Sequence, residues 1–165
     1  MTFSIWLTPS YRDRKYLNKI IRNLAKKYAA PKFSAHITVF SGVSSLHKAK
    51  TAVQLVRCDP IKTRKISIGQ SDYLWKTLFI RIKKEKQLEN LYCTLQNRFD
   101  KNYAFMPHIS LIYKKLDSTT KKTIKADLKI KNTFSFDTIT IIKSSKNTQK
   151  WNKCYTFRLS ATQRA

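Results

Sequence analysis

Apolar and polar positions follow two rhythms along this chain, one of period two and one near 3.6, and the rhythms alternate. Over residues 3–8, Phe3, Ile5 and Leu7 alternate with Ser4, Trp6 and Thr8, as in a strand with one apolar face. Pro9 and Ser10 stop it. Ser10 with Asp13 three places on reads as a capping box, Asp replacing the usual Glu, and opens a helix. Leu17, Ile20, Ile21, Leu24 and Tyr28 share one face of that helix, and Pro31 closes it. A strand over residues 36–40 ends at Ser41-Gly42. A second helix starts near Ser45 with Leu46, Ala49, Val53 and Val56 on its buried side, and Asp59-Pro60 marks its exit. Ile66 and Ile68 then alternate with charged and polar neighbours as a third strand.

The second half runs in the same order. Leu78, Ile80 and Ile82 predict a strand; Leu88, Leu91, Tyr92, Leu95 and Phe99 predict a helical stripe; a strand begins at His108. A short helix over 119–129 and strands over 134–142 and 154–159 complete the chain. Each half reads as strand, helix, His-bearing strand, helix, strand, and the two histidines lie 108 − 36 = 72 residues apart. We read an internal duplication with approximate halves 1–75 and 76–165. The expected fold is a single α+β domain over residues 1–165. It has two lobes related by a pseudo-twofold, each an antiparallel sheet with helices outside, and a central groove holds the His-bearing strands.

Charge alters this picture more than composition does. The 165 residues contain 34 Lys and Arg against 9 Asp and Glu, a formal charge of +25. Residues 1–82 hold 16 basic and 3 acidic residues and residues 83–165 hold 18 and 6, so the halves carry +13 and +12. A field this even attracts phosphate-bearing partners without naming one. Apolar residues at 42% argue against disorder, and no apolar run nears the length of a membrane span, so no membrane partner is expected. The first residues lack the basic and apolar segments of a secretory signal. Three cysteines with no close pair fit a reducing compartment, so a cytoplasmic protein is expected, acting as a monomer.

Two of the three histidines sit in one local pattern, His36-Ile37-Thr38-Val39 and His108-Ile109-Ser110-Leu111. On a strand, residues i and i+2 share a face, so each motif sets an imidazole beside a hydroxyl while Ile37, Val39, Ile109 and Leu111 face the core. Ser and Thr fill 30 of 165 positions, so two of three histidines followed this way arise by chance roughly 9% of the time. Two imidazoles with ordinary pKa near 6.5 supply one general base and one general acid. Two hydroxyls donate to the non-bridging oxygens of a phosphate. That set suits in-line hydrolysis of a cyclic phosphodiester. No spacing of His, Asp, Glu or Cys suggests a metal, no cofactor is called for, and two glycines with no G-x-S-x-G leave a serine-hydrolase elbow unsupported. Trp6 shares the polar face of its strand and offers a stacking surface for a base. Trp75 and Trp151 read as packing residues and His47 as a surface residue. Lys114-Lys115 is weighed as a further phosphate contact and reads more readily as loop charge.

These segments, with Ser4-Ile5-Trp6-Leu7-Thr8-Pro9 and Pro107-His108-Ile109-Ser110-Leu111-Ile112-Tyr113, resemble the cyclic phosphodiesterase branch of the two-histidine phosphoesterase superfamily. The resemblance implies a metal-independent enzyme that opens a nucleoside 2',3'-cyclic phosphate or ADP-ribose 1'',2''-cyclic phosphate to a phosphomonoester. It implies that His36 and His108 are the acid and base, with His108 activating water and His36 protonating the leaving oxygen. Thr38 and Ser110 would grip the phosphate, and Tyr113 would contact it. Tyr113 lies an odd number of residues from Ser110, so it reaches the site only if the strand twists or ends near Ile112. Two alternatives stand beside this reading. One is an RNA-end phosphodiesterase or 2'-5' RNA ligase-like enzyme acting on a cyclic-phosphate end. The other is a non-catalytic RNA-binding module.

Overall fold

A computed structural model describes residues 1–160. The elements run β1 (Phe3–Pro9), α1 (Tyr11–Tyr28), β2 (Ile37–Val43), α2 (Leu46–Gln54), β3 (Ile61–Gln70), β4 (Leu78–Ile82), α3 (Lys86–Gln96), β5 (His108–Ile112), α4 (Ser118–Asp127), β6 (Thr133–Lys143) and β7 (Asn152–Arg158). Single 3-10 turns at Leu74–Lys76 and Thr148–Lys150 precede β4 and β7. The strands form a seven-stranded, wholly antiparallel sheet in the order β2-β1-β6-β3-β4-β5, with β7 beside β6. The α+β class expected from the two rhythms is what the chain adopts.

Strand β3 changes partner midway. Ile61 to Arg64 pair with the start of β6, whereas Lys65 to Gln70 pair with β4. The rest of β6 runs beside β1. Each arm therefore mixes both halves of the sequence: β2 and β1 take β6, with β7 on its far side, and β5 and β4 take β3. The His-bearing strands β2 and β5 occupy opposite ends of the sheet order and nevertheless contact one another, so the sheet bends to bring them together. Helix α1 packs on β5 and β1, and α3 packs on β2, closing one continuous apolar core.

The local signals hold with informative exceptions. Helix α1 buries Leu17, Ile21 and Leu24 as its spacing requires, but Ser10 makes no side-chain cap. Asp13 is buried instead, accepting from Lys131 Nζ and, at 2.7 Å, from the backbone N–H of Ser135, which staples the helix start to β6. The helix ends at Tyr28, before Pro31, with Ala29 left-handed at φ 49°. Lys114 Nζ donates to the last-turn carbonyl of Tyr28 at 2.5 Å, a cation at a helix C-terminus rather than at a phosphate site. Ile66 is exposed; β3 buries Ile61 and Thr63 earlier in its length. Strand β1 is buried along its whole length because β2 and β6 flank it, and its polar face pairs internally, Thr8 Oγ1 lying 3.0 Å from Thr140 Oγ1. Among the described residues Cys58, Cys93 and Cys154 are unpaired thiols, and no helix is long and apolar enough to cross a membrane.

Candidate active site

Both His-bearing strands carry the same irregularity. Ile5 and Trp6 of β1 face Phe40 and Thr38, so Val39 is an extra residue in β2; Leu78 and Phe79 of β4 face Ile112 and Ser110, so Leu111 is an extra residue in β5. Each bulge lies three residues after its histidine. A bulge resets which face the following side chains occupy. Tyr113, just past the end of β5, is thereby brought to the cavity that also contains Ser110, meeting the condition its odd spacing imposed.

That cavity has a volume of about 620 Å³ and is lined by His36, Thr38, His108, Ser110, Tyr113 and Trp6 together with Trp75 and Trp151. All six residues expected at the site converge here. The two further tryptophans, assigned to packing from sequence, form one of its walls. Trp151 meets Trp6 edge-on at 5.2 Å between centroids, His36 at 6.0 Å and Tyr113 at 5.8 Å, and it lies 5.9 Å from Trp75. A signal for them exists in hindsight: Trp75 and Trp151 are 151 − 75 = 76 residues apart, each in the 3-10 turn or next to it after the third strand of its half. Lys76 and Lys146 also line the cavity, and no carboxylate does among the described residues.

The two imidazoles are held alike. His36 Nδ1 lies 2.7 Å from the carbonyl of Ser34, and His108 Nδ1 lies 2.8 Å from the carbonyl of Met106, in each case two residues upstream. A carbonyl only accepts, so Nδ1 carries the hydrogen in both rings and Nε2 keeps its lone pair in the neutral form. His36 is buried and its ring stacks on Trp6 at 3.5 Å with 7° between planes. One face of Trp6 is therefore covered by the imidazole, which the indole positions. Phe79 meets His108 edge-on at 5.5 Å.

Burial sets the protonation of both rings. It drives His36 down to about 4, against the opposing pull of the Ser34 carbonyl and with added repulsion from His108. His108 is also lowered, mainly by burial, less the stabilising Met106 carbonyl, and with Lys76 adding repulsion. Burial likewise raises Tyr113, with the Ser110 hydroxyl opposing, so its phenol stays protonated and able to donate. The hydroxyls differ. Thr38 makes no side-chain hydrogen bond to any described residue, whereas Ser110 Oγ donates to the carbonyl of Trp75 at 2.7 Å. Ser110 must turn away from that carbonyl before its one proton can serve a ligand. No group of three or more His, Cys, Asp or Glu able to hold a metal occurs among the described residues.

A family model described as cyclic phosphodiesterase-like protein matches residues 1–165. A cyclic phosphodiesterase of Arabidopsis thaliana is 23% identical over 127 residues, covering 73% of this chain and 69% of that protein. Among solved structures, E. coli LigT complexed with 3'-AMP superposes with a TM-score of 0.63 at 14% identity, over 96% of this chain and 97% of that one. A protein of Thermus thermophilus, TT0787, gives 0.64 at 12% identity, over 96% and 98%.

Proposed function

This chain belongs to the cyclic phosphodiesterase-like family of two-histidine phosphoesterases and is a phosphodiesterase, and we propose that it hydrolyses a nucleoside 2',3'-cyclic phosphate or ADP-ribose 1'',2''-cyclic phosphate to a phosphomonoester. The observation that carries this reading is the matched pair of imidazoles, each clamped at Nδ1 by a backbone carbonyl, in one cationic cavity. The 3'-AMP complex of LigT gives it support.

In the proposed step His108 Nε2 takes a proton from water as the water oxygen bonds to phosphorus. The bond from phosphorus to one ring oxygen breaks, and Nε2–H of protonated His36 gives its proton to that oxygen. Thr38 has its hydroxyl proton unspent and donates to a non-bridging oxygen; the Tyr113 phenol supplies a second donor, and Ser110 a third once it leaves the Trp75 carbonyl. Trp151 and Trp75 offer aromatic surface for a base. Burial opposes the protonated form of His36, so the phosphate anion itself must stabilise the acid. The catalytic unit is residues 1–165 acting as one bilobal domain and as a monomer, since one chain supplies both motifs. Unpaired thiols support a cytoplasmic setting.

The test is turnover of nucleoside 2',3'-cyclic phosphates and ADP-ribose 1'',2''-cyclic phosphate by the wild type, His36→Ala and His108→Ala. Each variant is expected to lose about 10²–10⁴-fold in kcat, the scale of general acid or base catalysis. EDTA should leave turnover unchanged. Equal, negligible turnover by all three proteins refutes the proposal, and loss with EDTA refutes the metal-free step.

A further inference from the structure

The cavity extends beyond the imidazoles to polar groups that the proposed step leaves idle. Ser41 stands three residues after Thr38 as Tyr113 stands three after Ser110, with the extra residue, Val39 or Leu111, in between. In a regular strand the third residue on faces away; the bulge returns both side chains to the cavity, which Ser41 and Tyr113 both line. A second irregularity follows Ser41 directly. Ser4 and Phe3 face Ser41 and Val43, leaving Gly42 unpaired at φ 82°, where a side chain would collide with Lys101 Nζ. Two bulges and a left-handed glycine thus aim one serine inward.

Ser41 does not act alone. Its Oγ lies 2.9 Å from Ser4 Oγ, which lies 2.7 Å from Ser144 Oγ, and all three residues line the cavity. Three hydroxyls hold three protons, and their two mutual hydrogen bonds use two, so one proton is left for a ligand. Lys146, two residues past Ser144, lines the same cavity and pairs with no carboxylate among the described residues. A spare hydroxyl proton beside a free ammonium, with no carboxylate in the lining among the described residues, suits an anion. Ser4 is two residues along β1 from Trp6, about 7 Å at the rise of a strand, which is within one nucleotide of the imidazole that Trp6 carries.

Resting on the cyclic phosphodiesterase reading, we propose that Ser4, Ser41 and Ser144 with Lys146 form a subsite for a second phosphate. The substrate is then a sugar cyclic phosphate that also bears a phosphate ester on the 5' side. A terminal 5'-monophosphate supplies that group, and so does the diester joining a terminal nucleotide to a longer strand.

The test compares kcat/KM for adenosine 2',3'-cyclic phosphate, its 5'-phosphorylated form and a dinucleotide ending in a 2',3'-cyclic phosphate. The wild type should favour at least one phosphate-bearing form by about tenfold, the scale of charge-assisted hydrogen bonds. Preference for the monophosphate assigns the subsite to a terminal phosphate, and preference for the dinucleotide assigns it to the diester. Ser41→Ala and Lys146→Ala should each cut the advantage at least threefold. Lys125→Ala, on the exposed side of α4, should lower all substrates alike, which separates a local subsite from the general field. A wild-type ratio near one overturns the subsite, as does an undiminished ratio in both subsite variants, whatever their thermal midpoints. Calorimetry with adenosine 3'-phosphate and adenosine 3',5'-bisphosphate distinguishes the two proposals. Tighter bisphosphate binding that is lost in Ser41→Ala upholds the subsite even where no substrate turns over, and equal binding rejects it.

Discussion

The protonation state of His36 is the sharpest quantity this structure puts at risk. Burial takes its pKa to about 4, against an ordinary value near 6.5. That is about 2.5 units, or about 3 kcal/mol against charging the ring in the free protein. At pH 7 only about one molecule in a thousand then carries a protonated His36, although the proposed step needs that proton. His108 is lowered in the same direction. The profile of kcat/KM, which reports the free enzyme, should therefore peak on the acid side of 6.5. The profile of kcat, which reports the complex with the phosphate anion, should sit at higher pH. Imidazole Cε1–H titration by NMR gives the direct measurement, with inorganic phosphate added as the anion. Trp6→Ala is the perturbation: removing the indole stacked at 3.5 Å admits water to one face of the ring and should raise its pKa by about a unit or more. A free-protein His36 that titrates at 6.5 or above, or one unmoved in Trp6→Ala, refutes the reasoning. Stability carries the same sign. A depressed folded-state pKa leaves this contribution intact above 6.5 and loses it as pH falls toward about 4, by at most about 3 kcal/mol for His36.

Three further outcomes follow from individual contacts. Thr38→Ala should lower kcat/KM about tenfold with little change in urea midpoint, since its hydroxyl has no protein partner among the described residues; Ser110→Ala should lower both, because the Trp75 carbonyl loses its donor at about 1 kcal/mol. Asp13→Ala should cost about 3 kcal/mol in urea unfolding, having removed a buried carboxylate from Lys131 and from the Ser135 N–H. Lys121, buried on α4, donates to Asp72 at 2.6 Å and to the Ser71 carbonyl at 3.1 Å at the start of the loop bearing Trp75 and Lys76. Lys121→Ala should speed amide exchange across residues 71–77 and raise KM.

What is legible in the sequence depends on whether the signal is local. His36 with Thr38, and His108 with Ser110, are read from i and i+2 alone, and their alternating apolar neighbours confirm the face. Ser41 and Tyr113 defeat that rule because a bulge changes the parity, and nothing in Val39 or Leu111 announces an extra residue. Ser10 and Asp13 imitate a capping box, yet Asp13 pairs with Lys131 and Ser135, 118 and 122 residues away. Trp75 and Trp151 lie where no periodicity operates, and their 76-residue spacing becomes a signal only once the cavity has placed them. Lys114 suggests a phosphate contact by its nearness to the second motif, but the C-terminal end of α1 claims it.

The exchange of partners by β3 and β6 ties the two halves of the chain together. Ile61 to Arg64 pair with Thr133 to Phe136, after which β3 diverges to β4 and β6 to β1. The central pairing therefore sets how the two His-bearing strands stand to one another, and each arm is incomplete without a strand from the other half. The charge acts at that same junction. Lys76 and the opposite imidazole both disfavour protonation in a cavity whose lining holds no carboxylate among the described residues. An anionic phosphate answers every one of those repulsions at once. In the free protein burial, with these repulsions added, withholds the proton from both rings, while the positive field attracts the phosphate. In the proposed step only the bound phosphate reconciles the two, so the acid would form where a substrate already sits.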